Sequence, residues 1–349
     1  MQCASGCCER LRPPELPWVQ NPLVMGGVDT WEQKLTAIKV IGKYLWLLIW
    51  PARLSPDYSY NQVPVVDFGF SSWEDWKAIF TLVIVCLALL IALRECRRNR
   101  PLSYLILFFF IALVPTSNLL FPLRHIMAER FLYLPLVGFA GCLVIAVYGI
   151  CRRLVLRLDL SAWIVPIWLQ IAARSVLMVI LLALGARAFA RNLDWQDEIT
   201  LWSAAVETAP NSHNAHKSLA FALYEEDPTP ENQKLDQIIE EAEQARAIAD
   251  QTEVVLLHLG AYYRLKGDSL AQHSPDGNLI TTPASRKWYR QSVGALQAAV
   301  ALDRAVNKEN LEKQRARGLD PQEIVDIGNH EIYWNLGLSE MRLGRYDEA

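Results

Sequence analysis

Four charged side chains stand together between two long apolar runs, and they are the first candidates for chemistry. Arg124, His125, Glu129 and Arg130 lie in the stretch PTSNLLFPLRHIMAERFLYLPLVGFAG, residues 115–141. Charged side chains on a short loop at a membrane surface can meet a charged lipid headgroup. A guanidinium suits phosphate in particular, because it offers a planar fork of donors. This loop is therefore the predicted site of contact with a lipid.

The runs on either side of this loop are long enough to cross a bilayer. Residues 101–123 and 131–151 contain no charged side chain, and a helix needs about 20 apolar residues to span. Another run, 78–93, follows the interfacial pair Trp73 and Trp76. Two basic clusters mark the opposite ends of these runs: Arg94, Arg97, Arg98 and Arg100, then Arg152, Arg153 and Arg157. By the positive-inside rule both clusters are cytoplasmic, which places residues 51–75 and 115–131 on the outer side.

Two further helices are predicted, one before and one after these runs. Residues 34–50 carry Lys34, Lys39 and Lys43 along an otherwise apolar pattern, so this helix either spans or lies in the interface. Residues 160–186 carry a single charged side chain, Arg174. Arg174 is either a ligand inside the membrane, or it reaches the cytoplasmic surface from a span that begins near Ala172, after a break at Pro166.

The two parts of the chain differ in charge. Residues 1–190 hold 18 basic and 11 acidic side chains, whereas residues 191–349 hold 16 basic and 26 acidic ones. The first part is typical of a multi-pass membrane protein and the second of an acidic helical domain. Neither part has the basic face of a nucleic-acid-binding protein.

The second part has the pattern of tetratricopeptide repeats, which are paired helices of about 34 residues. The clearest copy is YWNLGLSEMRLGRYDEA, which ends at Ala349; VVLLHLGAYYRLKGD and HNAHKSLAFALYEED come earlier. Such an array either binds a protein or peptide on its concave surface or serves as a rigid spacer. Because the last copy lacks its second helix, we expect the array to be incomplete at the C-terminus.

The predicted fold is all-α, a polytopic membrane helical domain followed by a tetratricopeptide-repeat α-solenoid. Residues 1–32 form an N-terminal tail, 33–190 the membrane domain and 191–349 the repeat domain. The membrane helices are expected at about 34–50, 77–94, 102–121, 132–151 and 162–188.

Several motifs together resemble one known family. They are QNPLV (20–24), KYLWLLIWPARLSPDYSY (43–60), VPTSNLLFP (114–122), AERFLYLPLVGF (128–139) and RNLDWQDEITLW (191–202). This combination is similar to the transmembrane and tetratricopeptide-repeat (TMTC-like) protein O-mannosyltransferases of the C-type glycosyltransferase superfamily. The resemblance implies transfer of a sugar, mannose, from a polyprenyl-phosphate donor to protein acceptors, with the repeats on the outer side.

One departure from the family matters for catalysis. The resemblance implies a catalytic acidic residue in the first outer loop, after the first membrane helix. Here the first certain membrane helix starts near Ala78, and the residues before it already match a later loop of the family. We therefore expect a fragment that is inactive by itself, and its catalytic residue is unknown.

The remaining site residues are assigned by the chemistry of the donor. Negative charge develops on the departing phosphate, so Arg130 and Arg124 are the predicted phosphate ligands and His125 can assist. Glu129, Asp57 and Tyr58 are supporting residues, with Glu129 expected to fix Arg130 or nearby backbone. The alternative for Glu129 and Arg130 is a structural ion pair at a helix start. The sequence has no metal-ligand motif, although a divalent metal is the one cofactor left open.

A second function class remains beside the enzyme. The chain is either part of a glycosyltransferase, with membrane lipid and a protein or peptide bound by the repeats as its partners, or a noncatalytic membrane scaffold. No nucleic acid is expected. The sequence motifs PTSNLLFP and DYSY favour a bacterial plasma membrane, with the endoplasmic reticulum membrane as the alternative. In both cases the repeats are expected to be extracytoplasmic.

Overall fold

The structure is a computed structural model, and it describes residues 17–24, 28–67, 69, 72–157, 165–249, 252–274, 279–316 and 328–347. Most of the predicted N-terminal tail, together with Ala349, lies outside these ranges. The described chain divides into two compact units, and residues 21–209 form one of them. Residues 210–349 belong to the other, so the break falls later than the predicted boundary at residue 190.

The unit 21–209 is helical. The loops at 51–66 and 114–134, called the outer loops after the side of the membrane predicted for them, connect its helices. A short helix, α1 (Pro17–Gln20), precedes this unit in the sequence, and a 3-10 turn at Pro22–Val24 lies at its start. The longer helices are α2 (Thr30–Ile49), α3 (Trp73–Glu95), α4 (Arg100–Leu113), α5 (Pro135–Arg157), α6 (Val165–Leu193) and α7 (Glu198–Thr208). Two further 3-10 turns, Val114–Thr116 and Glu129–Leu132, lie in the loop between α4 and α5.

Local sequence explains where these helices begin and end. A capping box in which Ser72 and Asp75 bind each other's backbone N–H starts α3, as expected of a Ser at the N-cap. The Asn99 side chain accepts from Leu102 N at 3.4 Å, and Pro101 occupies the first turn of α4. Helix α4 stops at Leu113, before the predicted end near 121, and passes into the 3-10 turn Val114–Thr116, because Pro115 has no backbone N–H for the next α-helical bond.

Three helices in the described part of the chain are long and apolar enough to cross a membrane: Trp73–Glu95, Pro135–Leu154 and Ile167–Leu193. The apolar helix at Arg100–Thr116 is shorter. At 1.5 Å per residue, the 14 residues of α4 extend about 21 Å, less than the roughly 30 Å hydrocarbon core. The chain is a membrane protein with three spans of full length among its described residues.

Helix α6 corrects the expected break at Pro166. The helix runs without interruption from Val165 to Leu193, because a proline is tolerated in the first turn, where its missing N–H has no helical partner. Arg174 is exposed on this helix, whereas Leu169 and Ala173 pack with Val147 and Cys151 of α5. Residues 160–164 lie outside the described ranges.

The second unit contains α8 (His213–Glu226), α9 (Leu235–Ile248), α10 (Glu253–Ser269), α11 (Pro283–Ala316) and α12 (His330–Arg342). Consecutive helices pack against each other. Two glycines of α10 allow close approach, since a Cβ at Gly260 would meet Leu296 at 2.3 Å and one at Gly267 would meet the Tyr289 ring at 2.4 Å. A two-stranded antiparallel ladder, β1 (Gln272–His273) with β2 (Leu279–Ile280), lies in the loop before α11 and departs from the all-α prediction.

Candidate functional site

Two buried asparagines tie the start of the unit to the loop between α4 and α5. Asn21 Nδ2 donates to Asn118 Oδ1 at 3.0 Å and to Leu123 O at 2.7 Å. Asn118 in turn accepts from Leu123 N at 2.7 Å and donates to Ile126 O at 3.0 Å. Its φ of 60° is one that asparagine adopts more readily than most residues. This network fixes the backbone that carries Arg124 to Arg130.

The outer segment 51–60 lies against the same loop. Tyr58 Oη donates to Glu129 Oε1 at 2.7 Å, and Ser55 N donates to the same oxygen at 2.7 Å. Ser55 Oγ donates to Asp57 O at 2.8 Å. The structure therefore brings together the two outer loops on which the sequence places its candidate residues.

Helix α2 supports both loops with side chains that sequence reasoning placed at a membrane interface. Lys39, almost fully buried, donates to Pro64 O at 2.7 Å, and Lys43 donates to Gln62 O at 3.3 Å. Lys34 donates to Leu119 O. Ala128 N donates to the buried Tyr44 hydroxyl at 3.1 Å. These lysines satisfy carbonyl groups of irregular backbone, which explains their spacing along α2.

An apolar cluster beneath the loops holds them in place. Its buried members come from α2, the end of α4 and both loops: Leu23, Val40, Ile41, Tyr44, Tyr58, Val63, Phe109, Leu113, Ile126, Met127 and Leu132. Loops that bury this much apolar surface are ordered by packing as well as by hydrogen bonds.

The predicted phosphate ligands lie on the exposed side of this structure. Arg124 and Arg130 are exposed, and neither has a hydrogen-bond acceptor among the described residues. The Arg130 guanidinium lies 5.8 Å from the centroid of the Phe131 ring. Burial, together with the charge of Arg130, lowers the pKa of His125, and the Asp57 carboxylate opposes this shift. His125 is therefore neutral at pH 7 and adds no positive charge there.

Glu129 binds partners other than Arg130, the residue with which an ion pair was the alternative prediction. Its carboxylate binds Ser55 and Tyr58 instead, which agrees with the expectation that it fixes nearby backbone. Burial raises the pKa of Glu129. The hydrogen bonds from Tyr58 and Ser55, and the charges of Arg191 and Arg187, oppose that increase without cancelling it. Burial and then the Glu129 charge raise the pKa of Tyr58, which stays a neutral donor.

Arg187 and Arg191 belong to this site, and sequence reasoning missed both. Arg187 donates through Nε to Pro51 O at 3.0 Å and through Nη2 to Ala52 O at 2.8 Å. Arg191 is only 8% exposed and pairs with Asp194 at 2.8 Å, and its Nη2 has no hydrogen-bond partner among the described residues. Their spacing of four was the available signal, because it places both side chains on one face of α6.

No group of three His, Cys, Asp or Glu side chains that could hold a metal ion occurs within the described ranges. Asp57, the residue considered for a metal, binds the backbone instead, accepting from Ser59 N at 2.8 Å. The described residues therefore do not fit a divalent metal held by protein ligands alone, and no step below depends on one.

Comparison with known proteins shows which family the chain is similar to. A family profile described as Protein O-mannosyl-transferase TMTC, DUF1736, matches residues 12–89. The chain is 30% identical to Protein O-mannosyl-transferase Tmtc3 of Drosophila melanogaster over 204 residues. These aligned residues cover 57% of this chain and 20% of that protein. The chain is TMTC-like.

Human proteins give the same result for the TMTC-like chain. Protein O-mannosyl-transferase TMTC3 of Homo sapiens is 25% identical over 218 residues, 59% of this chain and 21% of that protein. Protein O-mannosyl-transferase TMTC1 of Homo sapiens is 25% identical over 228 residues, 63% of this chain and 24% of that protein. The TMTC-like chain thus spans between a fifth and a quarter of the length of these relatives. No solved structure matches it.

The family match places part of the site within a region shared by TMTC proteins. Asn21, Asp57 and Tyr58 fall inside residues 12–89, whereas Glu129 and Arg187 lie beyond that range. The relatives named above are animal proteins. They give no support to the bacterial plasma membrane favoured from the wording of two motifs.

Proposed function

We propose that this TMTC-like chain is part of a membrane glycosyltransferase that transfers mannose from a polyprenyl-phosphate donor to protein acceptors. The observation that carries the proposal is the joining of the two outer loops through Glu129, Tyr58 and Ser55. Arg124 and Arg130 lie exposed on the same loop as Glu129, and neither has a hydrogen-bond acceptor among the described residues. The names of the relatives support the choice of mannose and of protein acceptors.

The reaction needs positive charge at the donor phosphate. The bond between the sugar C1 and the phosphate oxygen breaks, polyprenyl phosphate leaves with the bonding electrons, and an acceptor hydroxyl oxygen bonds to C1 and loses its proton. Negative charge grows on the leaving phosphate, so fixed cations there stabilise the transition state. Arg130 and Arg124 fill that role in the proposal. The base that takes the proton is left unassigned, and we propose that the 349-residue chain alone does not turn over.

Orientation of the membrane helices supports a donor site on the outer side. Arg94, Arg97 and Arg98 at the end of α3, and Arg152 and Arg153 near the end of α5, are exposed, and such clusters favour the cytoplasmic side. We place the loops at 51–66 and 114–134 on the outer side of the endoplasmic reticulum membrane, that is, in its lumen. Residues 210–349 are proposed to lie on that side too, as a tetratricopeptide-repeat array that binds the protein partner.

The repeat proposal rests on packing within the second unit. Helices α8 to α12 contact their neighbours in sequence order, and Gly260 and Gly267 stand where α10 closely approaches α11. Stacked helices of this kind create extended binding surfaces. Helix α11, with 34 residues, is longer than one helix of a 34-residue repeat pair, so the array is irregular at this point.

The test is equilibrium binding of radiolabelled mannosyl-phosphoryl-polyprenol to the chain in lipid nanodiscs. We expect saturable binding that unlabelled polyprenyl phosphate competes away. Arg130→Ala should weaken it about tenfold or more, the loss expected for a hydrogen bond to a charged group, with unchanged thermal unfolding. Arg53→Ala is the control, since Arg53 is exposed on the other outer loop and has no acceptor among the described residues.

Two outcomes would count against the proposal. Absence of saturable binding would support the noncatalytic membrane scaffold instead. Equal loss of binding and of folded protein in Arg130→Ala would assign Arg130 a structural role.

A further inference from the structure

Glu129 uses only one of its two carboxylate oxygens to hold the outer loops together. Oε1 accepts both hydrogen bonds, from Ser55 N and Tyr58 Oη. Oε2 has no hydrogen-bond partner among the described residues, and it is absent from the buried, unpartnered polar atoms. Glu129 thus keeps one carboxylate oxygen uncommitted while the other holds the loops together.

Arg187 is also only partly used. Its Nε and Nη2 groups bind the carbonyl oxygens of Pro51 and Ala52. Nη1 has no acceptor among the described residues and is not a buried atom. The side chain is therefore fixed by two bonds while one N–H₂ group remains available as a donor.

Glu129 and Arg187 bind the same short stretch of backbone, each through the atoms that are not free. Arg187 binds residues 51 and 52, and Glu129 binds residue 55. Even fully extended, Ala52 to Ser55 spans only about 10 Å. The pKa of Glu129 responds to the charge of Arg187, in agreement with this proximity. An acceptor and a donor of opposite charge are therefore held close together at the outer surface.

Arg191 lies near enough to Glu129 for its charge to act on the carboxylate. It is more than nine-tenths buried, and one of its two terminal nitrogens has no partner among the described residues. A buried cation near a carboxylate favours the ionised carboxylate. Arg191 therefore opposes the rise that burial gives to the pKa of Glu129.

We propose that Glu129 and Arg187 form a subsite for the glycosyl-phosphate headgroup of the donor, distinct from the phosphate ligands Arg124 and Arg130. Glu129 Oε2 accepts a hydrogen bond from a hydroxyl of the sugar, and Arg187 Nη1 donates to an oxygen of the same headgroup. Carboxylates can only accept and guanidinium groups can only donate, so the pair recognises a ligand rich in both kinds of group, as a hexose is. This proposal rests on the proposed function, because it names how the same donor is recognised.

Glu129→Gln isolates the free oxygen. Ser55 N and Tyr58 Oη both donate to the position of Oε1, so the glutamine amide must keep its oxygen there. The NH₂ group then takes the place of Oε2 and converts an acceptor into a donor, while the joint between the loops is preserved. Glu74→Gln is the matched control, since Glu74 is a half-exposed carboxylate that pairs with Lys77 at the start of α3.

The experiment compares two ligands with the chain in nanodiscs, mannosyl-phosphoryl-polyprenol and sugar-free polyprenyl phosphate. In the unchanged protein we expect tighter binding of the sugar-carrying lipid. Glu129→Gln should reduce that preference about tenfold, the loss expected for one hydrogen bond to a charged group, without weakening the sugar-free lipid. Glu74→Gln should leave both affinities unchanged.

Failure of the subsite and failure of the proposed function look different. If the unchanged protein binds both lipids but Glu129→Gln retains the full preference, the subsite is wrong while donor binding stands. If the unchanged protein binds neither lipid, the proposed function is wrong and the subsite falls with it. A loss of affinity for both lipids in Glu129→Gln, at unchanged thermal stability, would assign Glu129 to the phosphate and also overturn the sugar subsite.

Discussion

Replacement of Asn118 by alanine tests whether the outer loops are a fixed structure. The Asn118 side chain donates to His125 O and Ile126 O and accepts from Leu123 N and from Asn21. At about 1 kcal/mol for each net hydrogen bond, four bonds contribute about 4 kcal/mol. An alanine at φ 60° costs about 1 kcal/mol more. Asn118→Ala should therefore lower the free energy of unfolding by about 5 kcal/mol, a large part of the stability of an ordinary domain.

The assay is denaturant unfolding in detergent micelles, followed by tryptophan fluorescence. Asn118→Gly should lose about 4 kcal/mol, because glycine removes the same bonds but tolerates the positive φ. Asn99→Ala is the control, since Asn99 makes a single cap bond at the start of α4, and its loss should cost about 1 kcal/mol. A loss below 1 kcal/mol in Asn118→Ala would refute the network as the frame of the loops.

Three further predictions concern packing and charge. Gly138→Ala should cost about 2 kcal/mol in unfolding free energy, because a Cβ there would lie 2.7 Å from Leu105 O; Gly149→Ala, with nothing within 4 Å, should be neutral in the same unfolding assay. Burial opposes the charge on His216, but Glu241 and Pro210 O accept from both ring nitrogens and raise its pKa. The protection factors of amide hydrogen exchange in α8, which are corrected for the intrinsic exchange rate, should therefore be largest below the unfolded pKa of about 6.5 and fall as pH rises through the raised value. Protection factors that do not change with pH would contradict this. Asp268 is 6% exposed and binds Tyr289 and Arg342. Asp268→Ala should therefore lower the free energy of unfolding by about 3 kcal/mol, measured by circular dichroism melting. A decrease below about 1 kcal/mol would show that these bonds contribute little to stability.

The sequence predicted the loops that form the site because their signals are local. Long uncharged runs and the arginines that follow them identify membrane helices and their ends without any tertiary information. The charged residues between two such runs, Arg124 to Arg130, must then lie in a connection. Residues 51–60 were likewise assigned to an outer loop from proline and serine content and from the arginines after α3.

Contacts between distant residues were beyond the same reasoning. The Asn21–Asn118 bond joins residues 97 positions apart, and no periodicity encodes such a pair. Glu129 was linked in prediction to its neighbour Arg130, whereas the structure pairs it with Tyr58, 71 positions away. Hydrogen bonds to loop backbone depend on where a loop folds back, which residue type alone does not determine.

Arg187 and Arg191 illustrate a third limit. Arginines at the end of an apolar helix commonly reach toward the interface, so their shared helix face did not by itself place either one in a site. Only the folded loop 51–55 supplies the carbonyl groups that Arg187 binds. The acceptors of the α2 lysines were not predictable for the same reason, because they are backbone carbonyls of the outer loops.

The most direct measurement of the central claim is the mapping of a photoreactive polyprenyl-phosphate analogue, whose reactive group lies next to the phosphate, on the chain in nanodiscs. Crosslinked peptides identified by mass spectrometry should come from residues 51–60 and 119–134, and excess polyprenyl phosphate should suppress them. Crosslinks confined to residues 94–100 or to the lipid-facing surfaces of the spans, unaffected by competitor, would contradict a donor-binding site formed by the two outer loops.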